Sequence, residues 1–295
     1  ADRGPCVVAP VRSGDHARQP PVTQDPRYAR HTLVPGWDQA RLAAAQVILI
    51  GLGALGNEVA RILALFGVGS MILCDPDRVE RSNLSRCAFF RESDCGRLKV
   101  AAAARALADL APGCRLDARP QTLIHGVGLA ELRDAALVIG CLDSRTARLQ
   151  LAGRCNLMRA PMIDGGTHPW GGELRPYLDP DGPCYGCGLG EDARARTAAA
   201  SVLIGGWMAM TALRHLLGLP VPPGLLQIDG PAGTACPWPT PPPWANCSPN
   251  SPRARSRSPG RRSWMPLSAP VATIARPAGA CRPRPSRPAT PLSHW

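Results

Sequence analysis

The short apolar run Val47-Ile48-Leu49-Ile50 passes directly into Gly51-Leu52-Gly53-Ala54-Leu55-Gly56, and the residues that follow turn to helical spacing. A strand, a GxGxxG loop and a helix in that order leave few folds open. Glycines let a backbone approach phosphate oxygens, and a helix start offers unpaired N–H groups and the positive end of a dipole. Val59, Ile62, Leu63 and Phe66 predict a helix over residues 57–66. A second apolar run at 71–74 predicts a strand ending at Asp75, 24 residues after Gly51. A carboxylate there can accept from ribose hydroxyls. This much indicates a nucleotide without separating a nicotinamide dinucleotide from ATP.

The alternation continues along the chain. Helices are predicted over 98–110, 145–158 and 198–217. Strands are predicted over 137–141, with Asp143 just beyond, over 162–164 and, last, over 225–229. Residues 172–178 alternate in a way that suits an antiparallel strand. Strands alternating with helices imply an α/β domain over 27–230, a mostly parallel sheet with helices on both faces and an antiparallel C-terminal extension. Such sheets bind ligands at the carboxyl ends of their strands, where Asp75 and Asp143 both fall. His168 is read as part of a loop after the 162–164 strand, Cys74 and Cys141 as core residues, and Trp37 and Trp207 as packing residues.

The two ends of the chain look different. Residues 1–26 are polar and rich in Pro and Arg, and are expected to be a disordered leader. Residues 231–295 hold nine Arg, 16 Pro and no Asp or Glu, and are expected to be a disordered tail, with a shifted reading frame as the alternative. The tail's nine positive charges leave only +3 of the net +12 on the rest, so nucleic acid is not the expected partner. No run of 18 apolar residues exists, so no membrane span is expected. The 12 Cys lack small-domain spacing and read as reduced thiols of a cytoplasmic protein.

The stretch Asp75-Pro76-Asp77-Arg78-Val79-Glu80-Arg81-Ser82-Asn83-Leu84-Ser85-Arg86 is dense in polar groups directly beyond a strand end, and Gly96-Arg97-Leu98-Lys99 follows. Lys99 is the single lysine among 34 basic residues. In a chain that otherwise uses Arg, a lone compact ammonium suits a point contact with phosphate. Solvated surface charge is the plain alternative for Arg86 and Lys99.

Together with Arg27-Tyr28-Ala29-Arg30, Cys141-Leu142-Asp143-Ser144 and Asp181-Gly182-Pro183-Cys184-Tyr185-Gly186-Cys187, these motifs resemble the ThiF/MoeB/HesA family over residues 27–230. Its members are adenylating enzymes related to ubiquitin-activating enzymes. The resemblance implies a Rossmann-like domain in which Gly51, Gly53, Ala54, Gly56 and Asp75 hold ATP. Asn83, Arg86 and Lys99 would contact its phosphates, and Asp143 would bind Mg²⁺. Arg30 would reach the ATP of the partner subunit in a homodimer. The implied reaction adenylates the C-terminal glycine carboxylate of a small ubiquitin-like or sulfur-carrier protein and releases pyrophosphate. A peptide or a tRNA-linked carboxylate is the alternative substrate. A nicotinamide-dependent oxidoreductase would not need Asn83, Arg86 and Lys99 together.

Two departures from the family pattern matter. Cys184 and Cys187 form half of a four-cysteine Zn²⁺ site. The second pair is missing: Cys236 stands near its place and Cys247 further on, so either these complete a site or the first two are ordinary thiols. Many family members also carry a cysteine in a long crossover segment. Here Gly188–Arg196 spans nine residues, and 188–235 contains no Cys, so adenylation is expected without a thioester step. The same brevity keeps an impaired, truncated or noncatalytic family member as an alternative.

Overall fold

The computed structural model describes residues 25–182, 185, 197–222, 226–229 and 234–237. In chain order its elements are α1 (Gln39–Ala44), β1 (Gln46–Ile50), α2 (Ala54–Leu65), β2 (Ser70–Cys74), α3 (Lys99–Leu110), β3 (Arg115–Arg119), α4 (Leu123–Gly126), α5 (Leu129–Asp134), β4 (Leu137–Gly140), α6 (Arg145–Met158), β5 (Met162–His168), β6 (Gly171–Tyr177), α7 (Ala198–Leu216), β7 (Leu226–Asp229) and β8 (Thr234–Pro237). The strands form one sheet in the order β3-β2-β1-β4-β5-β6-β7-β8. β1 to β5 run parallel, and β6, β7 and β8 continue the sheet antiparallel.

Strand periodicity explains the two layers. Val47 and Leu49 join one core with Val59, Leu63, Leu107, Ile204 and Met208, from α2, α3 and α7. Ile48 and Ile50, one residue out of phase, join the other with Leu123, Leu132 and Leu151, from α4, α5 and α6. A strand buried on both faces must be apolar throughout, which is why β1 reads as a continuous run. From β1 the chain builds outward to β2 and β3, then crosses back to β4 on the other side. The glycine loop therefore lies at the point where strand order reverses, the place such sheets bind ligands. The expected fold class stands, and among the described residues no helix is long and apolar enough to cross a membrane.

Several boundaries differ from the sequence reading. Asp25 and Pro26 belong to the fold: Asp25 caps the single turn Pro26–Tyr28 by accepting from the Arg27 N–H. β3 was hidden because its residues Arg-Leu-Asp-Ala-Arg carry no apolar run, as befits an edge strand marked by charge. β7 is not the last strand. β8 pairs with it inside the segment expected to be disordered, as an edge strand where Pro237 is tolerated. β5 continues through Gly165-Gly166-Thr167, and His168 is its last paired residue rather than part of a loop. Its glycines are contact points: a Cβ at Gly165 would lie 2.2 Å from Met208 Sδ on α7, and one at Gly166 2.8 Å from Arg148 Nη2 on α6.

Trp37 packs as expected, against His31 and Phe66. Trp207 does not: it stands 43% exposed on the outer face of α7 beside Val202, Leu203 and Met210. Helical spacing identifies an apolar residue without saying which side of an apolar helix meets the sheet.

Asn57 joins the glycine loop to the rest of the fold. Fully buried in the first turns of α2, it donates to the Leu52 and Gly53 carbonyls (2.9 and 3.0 Å) and accepts from the Phe89 N–H at 2.9 Å. Replacing it with Ala leaves the Leu52 carbonyl and the Phe89 N–H unpaired, while the Gly53 carbonyl keeps the backbone N–H of residue 57, so Asn57→Ala is expected to cost about 1–3 kcal/mol in urea unfolding. A loss under roughly 0.5 kcal/mol, the range of neutral surface changes, would contradict this role.

Candidate functional site

The site grows from the turn between β1 and α2. Gly51 has φ +93°, and a Cβ on it would lie 2.6 Å from the Cys141 carbonyl oxygen. A Cβ on Gly56 would lie 1.9 Å from the Gly51 carbonyl oxygen, so the helix start can fold against the loop only with hydrogen there. Gly53 is different: a Cβ on it would meet nothing within 4 Å. Gly53 is the N-cap of α2, with no capping side chain and no acidic residue in the first turn. The positive end of the helix thus opens at Gly53, with no carboxylate in its own first turn to screen it.

Asp75 stands beside this opening. It is 5% exposed, with Oδ2 accepting from the Leu52 N–H at 2.6 Å and Oδ1 from the Asp77 N–H at 2.8 Å. Burial pushes its carboxyl above the usual range, while the Leu52 N–H and the Lys99 charge pull it back in part. It both fixes the glycine loop and leaves acceptor capacity at the loop's rim.

Backbone pairing carries Lys99 to the same place. Val79 and Gly96–Arg97 exchange hydrogen bonds, and the Lys99 N–H donates to the Asp77 carbonyl. The Asp77–Arg86 segment and the start of α3 are thereby folded together. Lys99 Nζ lies 2.7 Å from Asp77 Oδ2, with its side chain 12% exposed and that of Asp77 63%. Burial works against the ammonium, but the Asp77 hydrogen bond and the charges of Asp75 and Asp77 outweigh it and hold its pKa above that of an ordinary lysine. Arg86 is half-buried, and its Nη1 donates to the Ser82 carbonyl at 2.6 Å. Desolvation pushes the buried Cys87 thiol up, against the pull of the Arg86 and Lys99 charges. Asn83 is buried and serves the local turn, its Oδ1 accepting from the Glu80 N–H at 3.1 Å.

Asp143 is exposed in the loop between β4 and α6. That loop abuts the glycine loop through Cys141, whose N–H donates to the Ile50 carbonyl at 2.8 Å. Arg30 is not brought to the site within one chain. It is exposed two residues after Tyr28, whose ring packs by Gly67, beyond the opposite end of α2. Cys184 and Cys187 lie outside the described residues, and of Cys236 only the backbone is described, opposite Gln227 in the β7–β8 register. Among the described residues no three His, Cys, Asp or Glu side chains form a metal cluster.

Sequence reasoning missed two supports. Asn57 appeared only as the first residue of a helix, although a polar side chain beside an apolar helical stripe is itself a signal. Arg148 and Asp164 form a buried pair beneath the Asp143 loop, with Nη1 to Oδ2 at 2.9 Å. Their only trace in the sequence is the Asp-Gly-Gly run of β5. A separate cleft of about 280 Å³, lined by Tyr28, Gly67, Cys114 and Arg115 among others, lies at the amino ends of the strands, away from the glycine loop.

The arrangement combines an uncapped helix start, two cations and two carboxylates around one opening, which suits a nucleotide triphosphate. Comparison with known proteins agrees with the fold. Crystal structures of E. coli MccB with ATP (TM-score 0.64, 20% identity, covering 75% of this chain and 73% of that one) and of PaaA (TM-score 0.62, 20% identity, 77% and 78%) share it. By sequence the chain is 35% identical over 164 residues to an adenylyltransferase and sulfurtransferase MOCS3 from Drosophila yakuba, and equally to one from Mus musculus, covering 55% of this chain and 36% of each relative. It thus spans little more than a third of the length of those relatives. The model of the ThiF family matches residues 28–252, which hold every element that builds the site, and the chain belongs to that family.

Proposed function

We propose that this chain binds Mg·ATP at the glycine loop and adenylates a carboxylate, with the C-terminal glycine of a ubiquitin-like or sulfur-carrier protein as the substrate. The observation that carries this reading is the convergence of Lys99 and Asp75 on the opening at Gly53. A nicotinamide cofactor would use the loop and Asp75 but has no use for a half-buried lysine folded back by a second backbone pairing. Residues 188–235 hold no Cys, so the adenylate passes on without a thioester to this segment.

The chemistry follows from charge. A carboxylate oxygen attacks the α-phosphorus of ATP, the new C–O–P bond forms, and pyrophosphate leaves. Two anions must meet, and at 4 Å their repulsion is roughly 1 kcal/mol in water and about 4 kcal/mol at an effective dielectric of 20. Arg86, Lys99 and the α2 N–H groups offset that repulsion and stabilise the departing charge. The nucleophile is already ionised, so no general base is required. Mg²⁺ needs only one or two protein carboxylates when phosphates supply the rest, and the exposed Asp143 fits that demand. Bound there, the ion would neutralise phosphate charge.

Two observations support the homodimer. Arg30 lies away from its own glycine loop, so it can serve a nucleotide only across an interface. The outer face of α7 presents Val202, Leu203, Trp207 and Met210 to solvent, and the helix carries no charge from Ala198 to Leu213.

Thermal unfolding with Mg·ATP, with NAD and with neither tests the nucleotide. A ligand at 100 times its Kd stabilises by about 2.7 kcal/mol. Mg·ATP is expected to raise the midpoint, and Arg86→Ala and Lys99→Ala to reduce that shift; a rise with NAD alone would reject the reading. Gly53→Ala is expected to leave unliganded stability unchanged and to weaken nucleotide binding, because its Cβ meets only the space assigned to phosphate. Pyrophosphate exchange dependent on a carrier protein, and not on a peptide or charged tRNA, identifies the substrate class. Sedimentation is expected to show a dimer that Trp207→Arg converts to monomer.

A further inference from the structure

Arg148 sits where three elements meet. It belongs to α6 and is 9% exposed. Its Nε and Nη2 both donate to the Leu142 carbonyl, at 3.0 and 2.8 Å. Its Nη1 donates to Asp164 Oδ2 on β5 at 2.9 Å, and Glu173 on β6 lies 4.0 Å away. Gly166 gives the guanidinium room, since a Cβ there would lie 2.8 Å from Nη2. Leu142 immediately precedes Asp143, and Cys141 before it touches the glycine loop.

Such a pair is a poor way to stabilise a fold. Asp164 is 1% exposed, and two charges taken from water can often be replaced by apolar residues of similar volume without loss of stability. What a guanidinium supplies and a methylene chain cannot is a planar fork of donors with a fixed direction. Here the fork grips one backbone carbonyl from beneath while Asp164 fixes its plane. Above it, Asp143, Ser144 and Arg145 are all exposed, and Ser144 Oγ, accepting from the Ala147 N–H at 3.2 Å, ties the loop only to its own helix. Without Arg148 no other side chain among the described residues would donate to the Leu142 carbonyl.

We propose that Arg148, oriented by Asp164, is a positioning residue that holds the Leu142–Asp143 turn against the glycine loop, so that Asp143 is in place for the metal ion of a bound nucleotide. This rests on the Mg·ATP reading above. The guanidinium touches neither nucleotide nor metal and acts only through the Leu142 carbonyl.

The test is calorimetric titration of the full chain with the nonhydrolysable analogue AMPCPP, in Mg²⁺ and in EDTA. Wild type is expected to bind more tightly in Mg²⁺, and Asp143→Asn to lose that gain. Arg148→Lys is expected to lose about tenfold or more of it, as for residues that orient a metal ligand, with affinity in EDTA held within about twofold. Because Arg148→Lys risks unfolding the chain, the double variant Arg148→Met/Asp164→Leu, which removes both buried charges, is measured beside it and is expected to lose the same gain while still melting cooperatively. Adding Asp143→Asn to the double variant is expected to cost nothing more. Hydrogen exchange at residues 142–145 of the unliganded chain is expected to quicken in both Arg148 variants. Arg148 variants that keep the Mg²⁺ gain while Asp143→Asn loses it would overturn the proposal, as would equal losses in Mg²⁺ and EDTA. Wild type that binds AMPCPP in neither buffer would overturn the nucleotide reading and this proposal with it.

Discussion

The fold and its site both depend on the close approach of two backbones where β1 and β4 end. Gly51 and Cys141 come near enough that no side chain can stand at position 51, and the Cys141 N–H bonds to the last carbonyl of β1. Everything proposed to handle a nucleotide hangs from that contact. On one side the glycine loop is held by Asp75 and Asn57. On the other the Leu142–Asp143 turn is held by Arg148. A methyl group at position 51 would force the glycine loop away from the Cys141 carbonyl.

The arrangement of charge around this contact follows a simple rule. Groups that fix the backbone are buried and held by backbone partners: Asp75 accepts two N–H bonds, and Asn57 makes three bonds. Groups that would meet phosphate or metal are more exposed, or are held by partners that an incoming anion can replace. Asp143 is exposed, Arg86 is half-buried, and Lys99 is paired with an Asp77 that is itself largely in solvent. An ion pair of this kind is weak enough to exchange for a triphosphate, which a pair as buried as Arg148–Asp164 is not.

The parallel strands other than β3 were legible because they are buried on both faces. Such strands show as apolar runs, and the β1 and β2 runs lead to the glycine loop and Asp75 without ambiguity. The convergence of Lys99 on Asp75 was not legible, because it depends on pairing between 77–79 and 96–99, segments with no apolar pattern. β3 and β8 were invisible for a related reason: edge strands are short and polar, or carry proline. The 162–164 strand was read as ending before Gly165-Gly166, because glycine in a sequence does not say whether it frees the chain or makes room for a neighbour. In β5 it makes room on both faces, for Met208 on one and Arg148 on the other.

β5 is the strand on which the two halves of the sheet meet. Its partner on one side, β4, is parallel, and on the other, β6, antiparallel. The parallel side carries the switch-point loop and the groups assigned above to a nucleotide. The antiparallel side, β6 to β8, extends the surface over which α7 lies. Among the described strands β5 alone pairs with both halves, and its Asp164 meets Arg148 of α6 on one side while standing opposite Arg175 of β6 in the register. Burial pushes that carboxyl up, and Arg148 pulls it back. The Arg148 guanidinium thus joins Asp164 of β5 to the Leu142 carbonyl, and among the described residues no other ion pair spans α6 and β5.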